Sequence, residues 1–132
     1  MANTKVAIIA ANGSLFDAYK VFNVATAAAA SDAEVGIFFT FEGLNLIHKE
    51  AHKDLPLPEG KEHFKEGFEK TNVPSIEELV SVAQEMGIKL IACQMTMDVM
   101  SLDKDVFVDG IEVGGAATFI EYARDADVSL TF

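Results

Sequence analysis

Lys5-Val-Ala-Ile-Ile-Ala-Ala11, closed by Asn12-Gly13 and followed at once by Ser14, is an apolar run ending in a turn signal and a helix start. Without polar alternation, such a run predicts a central strand covered on both faces, the pattern of a parallel sheet. Ser14 and Asp17 have the spacing of a capping box, and Leu15, Ala18, Phe22, Ala25 and Ala29 recur at helical intervals behind it. Val35 to Phe41 is a second β-prone run, ended by Glu42-Gly43. A strand, a long helix and a strand in that order make a right-handed βαβ unit the default. The Gly13-Ser14 turn faces a helix N-terminus, where anions bind, but its single glycine makes neither a dinucleotide fingerprint nor a P-loop.

The same alternation continues downstream. A short helical pattern runs from Leu44 to about His52 and places His48 and His52 four residues apart on one face. Two imidazoles fall short of the three protein ligands of an open zinc site, and His48-Lys-Glu-Ala-His52 is not the metalloprotease motif, so no metal is expected. Residues 54–74 form an irregular excursion with Pro56, Pro58 and Gly60, in which Phe64 and Phe68 predict a short amphipathic helix. Excursions of this length act as lids, form oligomer contacts or are partly disordered, and these residues leave the three open. Ser75 and Glu78 then predict a capping box for a helix with Ile76, Leu79, Val80, Ala83 and Met86 on its apolar face and Gly87 as its stop.

Leu90 to Ala92 predicts a buried strand, and Thr96 an N-cap for a helix starting at Met97, which leaves Cys93 in the crossing between them. Val106 to Val113, with Asp109-Gly110 at its centre, predicts a hairpin. Gly114-Gly115 leads into a helix through Ala116, Phe119, Ile120 and Ala123, and Val128, Leu130 and Phe132 alternate in a last strand. The whole predicts one domain, residues 1–132, built as a three-layer α/β/α sandwich with a mostly parallel sheet of about five strands.

Half of the residues are hydrophobic and 23% charged, the balance of a soluble globular chain. A net charge of −11 sets the field against nucleic acid and anionic lipid as partners. The N-terminal stretch Met-Ala-Asn-Thr-Lys-Val-Ala-Ile-Ile-Ala-Ala-Asn-Gly is too short in its apolar part for a signal peptide or a membrane span. A cytoplasmic, reducing setting is therefore expected.

The single cysteine excludes an internal disulfide. At a strand end that leads into a helix, Cys93 would lie at the rim where open α/β sheets gather ligands. Free amides and the helix N-terminus there favour a thiolate, whereas Asp98 opposes a second negative charge. Free cysteines are also commonly buried and inert, so the stretch alone leaves a reactive and an inert thiol both open.

Three segments, Cys-Gln-Met-Thr-Met-Asp-Val-Met from Cys93, Phe-Phe-Thr-Phe-Glu-Gly-Leu-Asn-Leu-Ile-His-Lys from Phe38 and Asp-Gly-Ile-Glu-Val-Gly-Gly-Ala-Ala-Thr-Phe-Ile-Glu-Tyr-Ala from Asp109, together resemble the DsrE/DsrF-like family, in particular its DsrE2-like branch. The similarity spans nearly the whole chain. It implies sulfur trafficking with a cysteine that holds sulfane sulfur as a persulfide, together with homo-oligomeric assembly; by position that role falls on Cys93. Relatives often carry an aromatic where Glu42 stands and a glycine where Ser101 stands, which points to a different pocket wall and post-cysteine helix here. With no further cysteine, sulfur must leave to another molecule or subunit.

The expected chemistry is that of a sulfur carrier, sulfurtransferase-like with Cys93 as nucleophile, in which enzymatic turnover is left open. Asn12, Gly13, Gln94, Met95, Met97 and His48 are the candidate substrate-binding residues. Met95, Met97 and Met100 offer a soft lining for the sulfur, and His48 reaches Cys93 if the strand-end loops converge. The expected partners are sulfur donors and acceptors, proteins or small sulfane-sulfur compounds, and no cofactor is called for. The alternative is a non-covalent module holding a small ligand or nucleotide beside Asn12, Gly13 and an inert Cys93; a purely structural subunit is the third reading.

Overall fold

The computed structural model describes residues 4–132, so the first three residues of the N-terminal stretch lie outside it. The opening run forms β1 (Lys5–Ala10), and Ser14 caps α1 (Leu15–Ala30) with the reciprocal box expected of it. The Ser14 hydroxyl accepts the Asp17 N–H at 3.2 Å while the Asp17 carboxylate accepts the Ser14 N–H at 3.1 Å. The remaining strands are β2 (Glu34–Phe39), β3 (Lys89–Cys93), β4 (Ile111–Gly114) and β5 (Val128–Thr131). They lie in the order β4-β3-β2-β1-β5, and every pairing is parallel.

Because side chains alternate along each strand, the sheet feeds two separate cores. Val6, Ile8, Ala10, Val35, Ile37, Phe39, Leu90 and Ala92 meet α1 and α3 (Ile76–Glu85) on one face. Ala7, Phe38, Ile91 and Cys93 meet Phe119 of α5 (Ala116–Ala123) on the other. The three layers are therefore unequal, with one eight-residue helix covering the second face.

Two expected elements are replaced. No α-helix spans Leu44 to His52; 3-10 turns cover Phe41–Leu46 and Ala51–Lys53. No hairpin forms between Val106 and Val113 either. Both changes have one cause: the Val108 N–H donates to the Ile47 carbonyl at 2.9 Å and the Lys49 N–H to the Val106 carbonyl at 2.8 Å. Those bonds use the backbone groups that the helix and the hairpin would each have needed, and β4 is left free to pair with β3. The second strand also stops at Phe39, two residues early, since Phe41 turns into the left-handed region at φ +51° and Gly43 then passes over the carbonyl of Ala10.

The excursion contains α2 (Phe64–Lys70), whose rings are used inside the chain. Phe64 packs edge-on to Phe16 at 4.9 Å, and Phe68 stacks on Tyr19 at 5.2 Å, so α2 lies against the start of α1. The Ser75 hydroxyl accepts the Glu78 N–H at 3.1 Å, and Met86, expected on the apolar face of α3, is its exposed C-cap residue. Ser101 sits at φ +54°, a conformation that costs an L-residue roughly 1–2 kcal/mol and glycine nothing steric.

Candidate functional site

A crevice in a parallel sheet opens where the chain leaves adjacent strands toward opposite faces. That divergence occurs between β3 and β4. After β3 the chain enters α4 (Gln94–Val99), whose Met97 packs into the α1/α3 core; after β4 it enters α5 on the other face. Cys93 and Gly114, the last residues of the two strands, are register partners. The cysteine thus stands at the switch point, 5% exposed.

The helix begins three residues earlier than Thr96 implied: Cys93 is itself the N-cap residue of α4, and Thr96 occupies the third helical position. The threonine hydroxyl is committed elsewhere. It accepts the Phe41 N–H at 3.1 Å and lies 3.3 Å from the Thr40 hydroxyl. Thr96 is 1% exposed, a buried polar side chain with its partners supplied from the loop after β2. Phe41, which carries the strained backbone, is 56% exposed beside it.

These surroundings decide the state of the thiol. Burial pushes the Cys93 pKa up, but the hydroxyl and amide of Thr96, the hydroxyl of Thr40 and the amide of Met95 outweigh it and bring the pKa below the usual thiol value. The neutral thiol makes no cap hydrogen bond of good geometry, so these donors act chiefly on the charged form. Asp98 is exposed and accepts the Gln94 side-chain amide at 2.8 Å.

The other expected residues scatter. Met95 and Met100 are exposed, and Met97 lies in the core on the far side of the sheet from the Cys93 side chain. Gln94 is exposed on the first turn of α4. Instead of approaching Cys93, the Nδ1 of His48 accepts the N–H groups of Glu50 and Ala51, each at 3.2 Å. His52 bonds the His48 carbonyl through Nδ1 at 2.7 Å, and among the described residues no three potential ligands cluster around a metal position. Asn12 is exposed, while Gly13 is buried with the Glu42 carbonyl above it: a Cβ at Gly13 would stand 2.5 Å from that oxygen. A cavity of about 840 Å³ lies at the opposite, N-terminal end of β2, β3 and β4, lined by Glu34, Lys89, Glu112 and Tyr122.

Sequence reasoning missed Thr40 and Thr96 as neighbours of the thiol. The Cys93-to-Thr96 spacing was a usable signal, since an N-cap side chain faces the third helical position.

An all-parallel α/β/α chain with one thiol at the switch point of its sheet is the class defined here. The DsrE/DsrF/DrsH-like family model matches residues 2–64 and 58–131, and the chain belongs to that family. It is 38% identical over 157 aligned positions to the sulfur carrier protein DsrE2 of Allochromatium vinosum, with 98% of this chain and 99% of that protein covered. It is 30% identical to YrkE of Bacillus subtilis, an uncharacterized protein, over 96% of this chain and 95% of that one. Among solved structures, the ychN protein of E. coli superposes with a TM-score of 0.69 at 14% identity, over 98% of this chain and 99% of that one. A protein of unknown function, MTH1491 of Methanobacterium thermoautotrophicum, gives 0.70 at 13% identity, over 98% and 100%. At such identities the two structures attest the fold alone. Among the described residues no helix is long and apolar enough to cross a membrane.

Proposed function

We propose that this protein is a sulfur carrier that holds sulfane sulfur as a persulfide on Cys93 and passes it to a thiol on another molecule. The observation that carries the reading is the setting of the chain's single cysteine, at the switch point of the sheet, among donors that favour its thiolate. Similarity to a sulfur carrier over nearly the whole chain supports it. In loading, the Cys93 thiolate attacks the outer sulfur of a donor R–S–SH; a new S–S bond forms, the donor's S–S bond breaks, and R–S⁻ leaves. Unloading is the same displacement with an acceptor thiolate as nucleophile and Cys93 as leaving group. No general base is obligatory, because even an unshifted thiol is a few per cent thiolate near neutral pH, and that fraction attacks.

The non-covalent reading placed its ligand beside Asn12, Gly13 and the Cys93 loop. Gly13 itself is buried beneath the Glu42 carbonyl and offers such a ligand little surface. A reducing cytoplasm suits an unpaired carrier thiol. Assembly into a homo-oligomer belongs to the same proposal, with the thinly covered α5 side, where Ile120 and Val128 are exposed, as the contact.

Mass spectrometry after incubation with inorganic polysulfide tests the carrier. The expected result is a gain of whole sulfur atoms on the peptide containing Cys93, removed by a small acceptor thiol; an unchanged mass rejects the proposal. Light scattering on the same sample tests the assembly, which a monomer at micromolar concentration would reject.

A further inference from the structure

We infer that Thr96 and Thr40 are positioning residues for Cys93, a hydroxyl pair that holds the sulfur as a thiolate before loading and receives it as a leaving group at unloading. The inference rests on the carrier reading for its second half only. Its basis is a count of protons. Thr96 Oγ1 accepts the Phe41 N–H at 3.1 Å and stands 3.3 Å from Thr40 Oγ1. Each hydroxyl carries one hydrogen, and the contact between the two oxygens uses one of them. The second has no acceptor within hydrogen-bonding geometry, the neutral thiol included, so it is free to turn to a charged Cys93 Sγ at the N-cap, three positions before Thr96.

The backbone fixes this arrangement from two directions. Cys93 is the N-cap residue and Thr96 the third residue of α4, the spacing at which a side chain can reach back to the cap. Thr40 and Phe41 arrive from the loop after β2, where Phe41 adopts φ +51°, a strained choice for a bulky residue that points its N–H at Thr96. Buried at 1% exposure, Thr96 has no water to replace either partner.

In unloading, the acceptor R′–S⁻ attacks the outer sulfur of Cys93–Sγ–SH; the R′S–SH bond forms, the Sγ–S bond breaks, and its electron pair returns to Sγ. A thiol whose anion is already solvated leaves faster. The charged residues on its own and the neighbouring elements are Lys89 on β3, Glu34 on β2 and Glu42 in the loop after it, Asp98 on α4, Glu112 on β4, Glu121 on α5 and Arg124 at the end of that helix. The groups that lower the Cys93 pKa are the hydroxyls of Thr96 and Thr40 and the amides of Thr96 and Met95 rather than any of these charges.

The test is an ultraviolet thiolate titration of the intact protein with Thr96→Val, Thr96→Ser and Thr40→Val. Thr96→Val is expected to raise the midpoint by about one pH unit, a roughly tenfold loss of thiolate below it, with Thr96→Ser restoring it. Thr40→Val is expected to shift the midpoint in the same direction by less. For sulfur-loaded protein, transfer to glutathione should slow in the valine variants and recover in the serine variant. Wild-type midpoints in both valine variants would overturn the inference, and if Thr96→Val does not fold, an unshifted Thr40→Val does so alone. Shifted midpoints in a protein that takes up no sulfur would leave the hydroxyl pair standing and bring down the carrier reading.

Discussion

Gly43→Ala is expected to destabilise the protein by about 3 kcal/mol or more, at the severe end of single substitutions. A Cβ at that position would overlap the carbonyl of Ala10, a backbone group in the interior strand β1 rather than the yielding tip of a side chain. The same carbonyl accepts the Thr40 N–H at 3.0 Å, and the Gly43 N–H donates to the Thr40 carbonyl at 2.9 Å. Relief of the overlap therefore has to move the loop that presents Thr40 and Phe41 to Thr96. Stability and the setting of Cys93 should fail together, which a urea midpoint and a thiol-alkylation rate would both register. Gly67→Ala is the matched control, because its Cβ would enter open space within α2 and alanine is the better helix former by roughly 1 kcal/mol. A Gly43→Ala protein as stable as the wild type would show that the β2 loop is not held against β1 as described.

The parts legible in the sequence were those decided by neighbours in the chain. Lys5 to Ala10 is a strand because its own side chains require two covered faces, and Ser14 with Asp17 starts α1 through bonds that span three residues. Cys93 was placed at a strand end because the apolar run stops there. What escaped depends on partners distant in sequence. Val106 to Val108 would turn back in a hairpin were Ile47 and Lys49 not competing for its backbone. Thr96 has a cap's composition but spends its hydroxyl on Phe41 and Thr40, some fifty-five residues upstream, so α4 starts at Gln94. Met97, expected to line the sulfur, lies in the opposite core. The family was legible because its segments carry local identity, whereas the hydroxyl pair needs the fold.

Cys93→Ser is expected to abolish sulfur loading while leaving the fold intact, and to remove a pH-dependent part of the stability. Serine is nearly the size of cysteine, and its hydroxyl meets the same amides and hydroxyls, so the cost at this 5% exposed site should stay near about 1 kcal/mol. The pH dependence follows from the direction of the shift. Cys93 is held below the usual thiol value by the Thr96 and Thr40 hydroxyls and the amides of Thr96 and Met95, against the opposing effect of burial. An acid with a depressed folded pKa binds fewer protons in the native state than in the unfolded one, so stability rises with pH between the two values. The contribution is complete above the unfolded thiol value and disappears as pH falls through the folded one. Serine does not ionise over this range, so the advantage of wild type over Cys93→Ser should grow from mildly acidic to alkaline pH. Urea midpoints of both proteins across that range measure it. Parallel curves would mean that the thiolate is not favoured in the fold, and undiminished loading of the serine variant would place the sulfur on some other nucleophile.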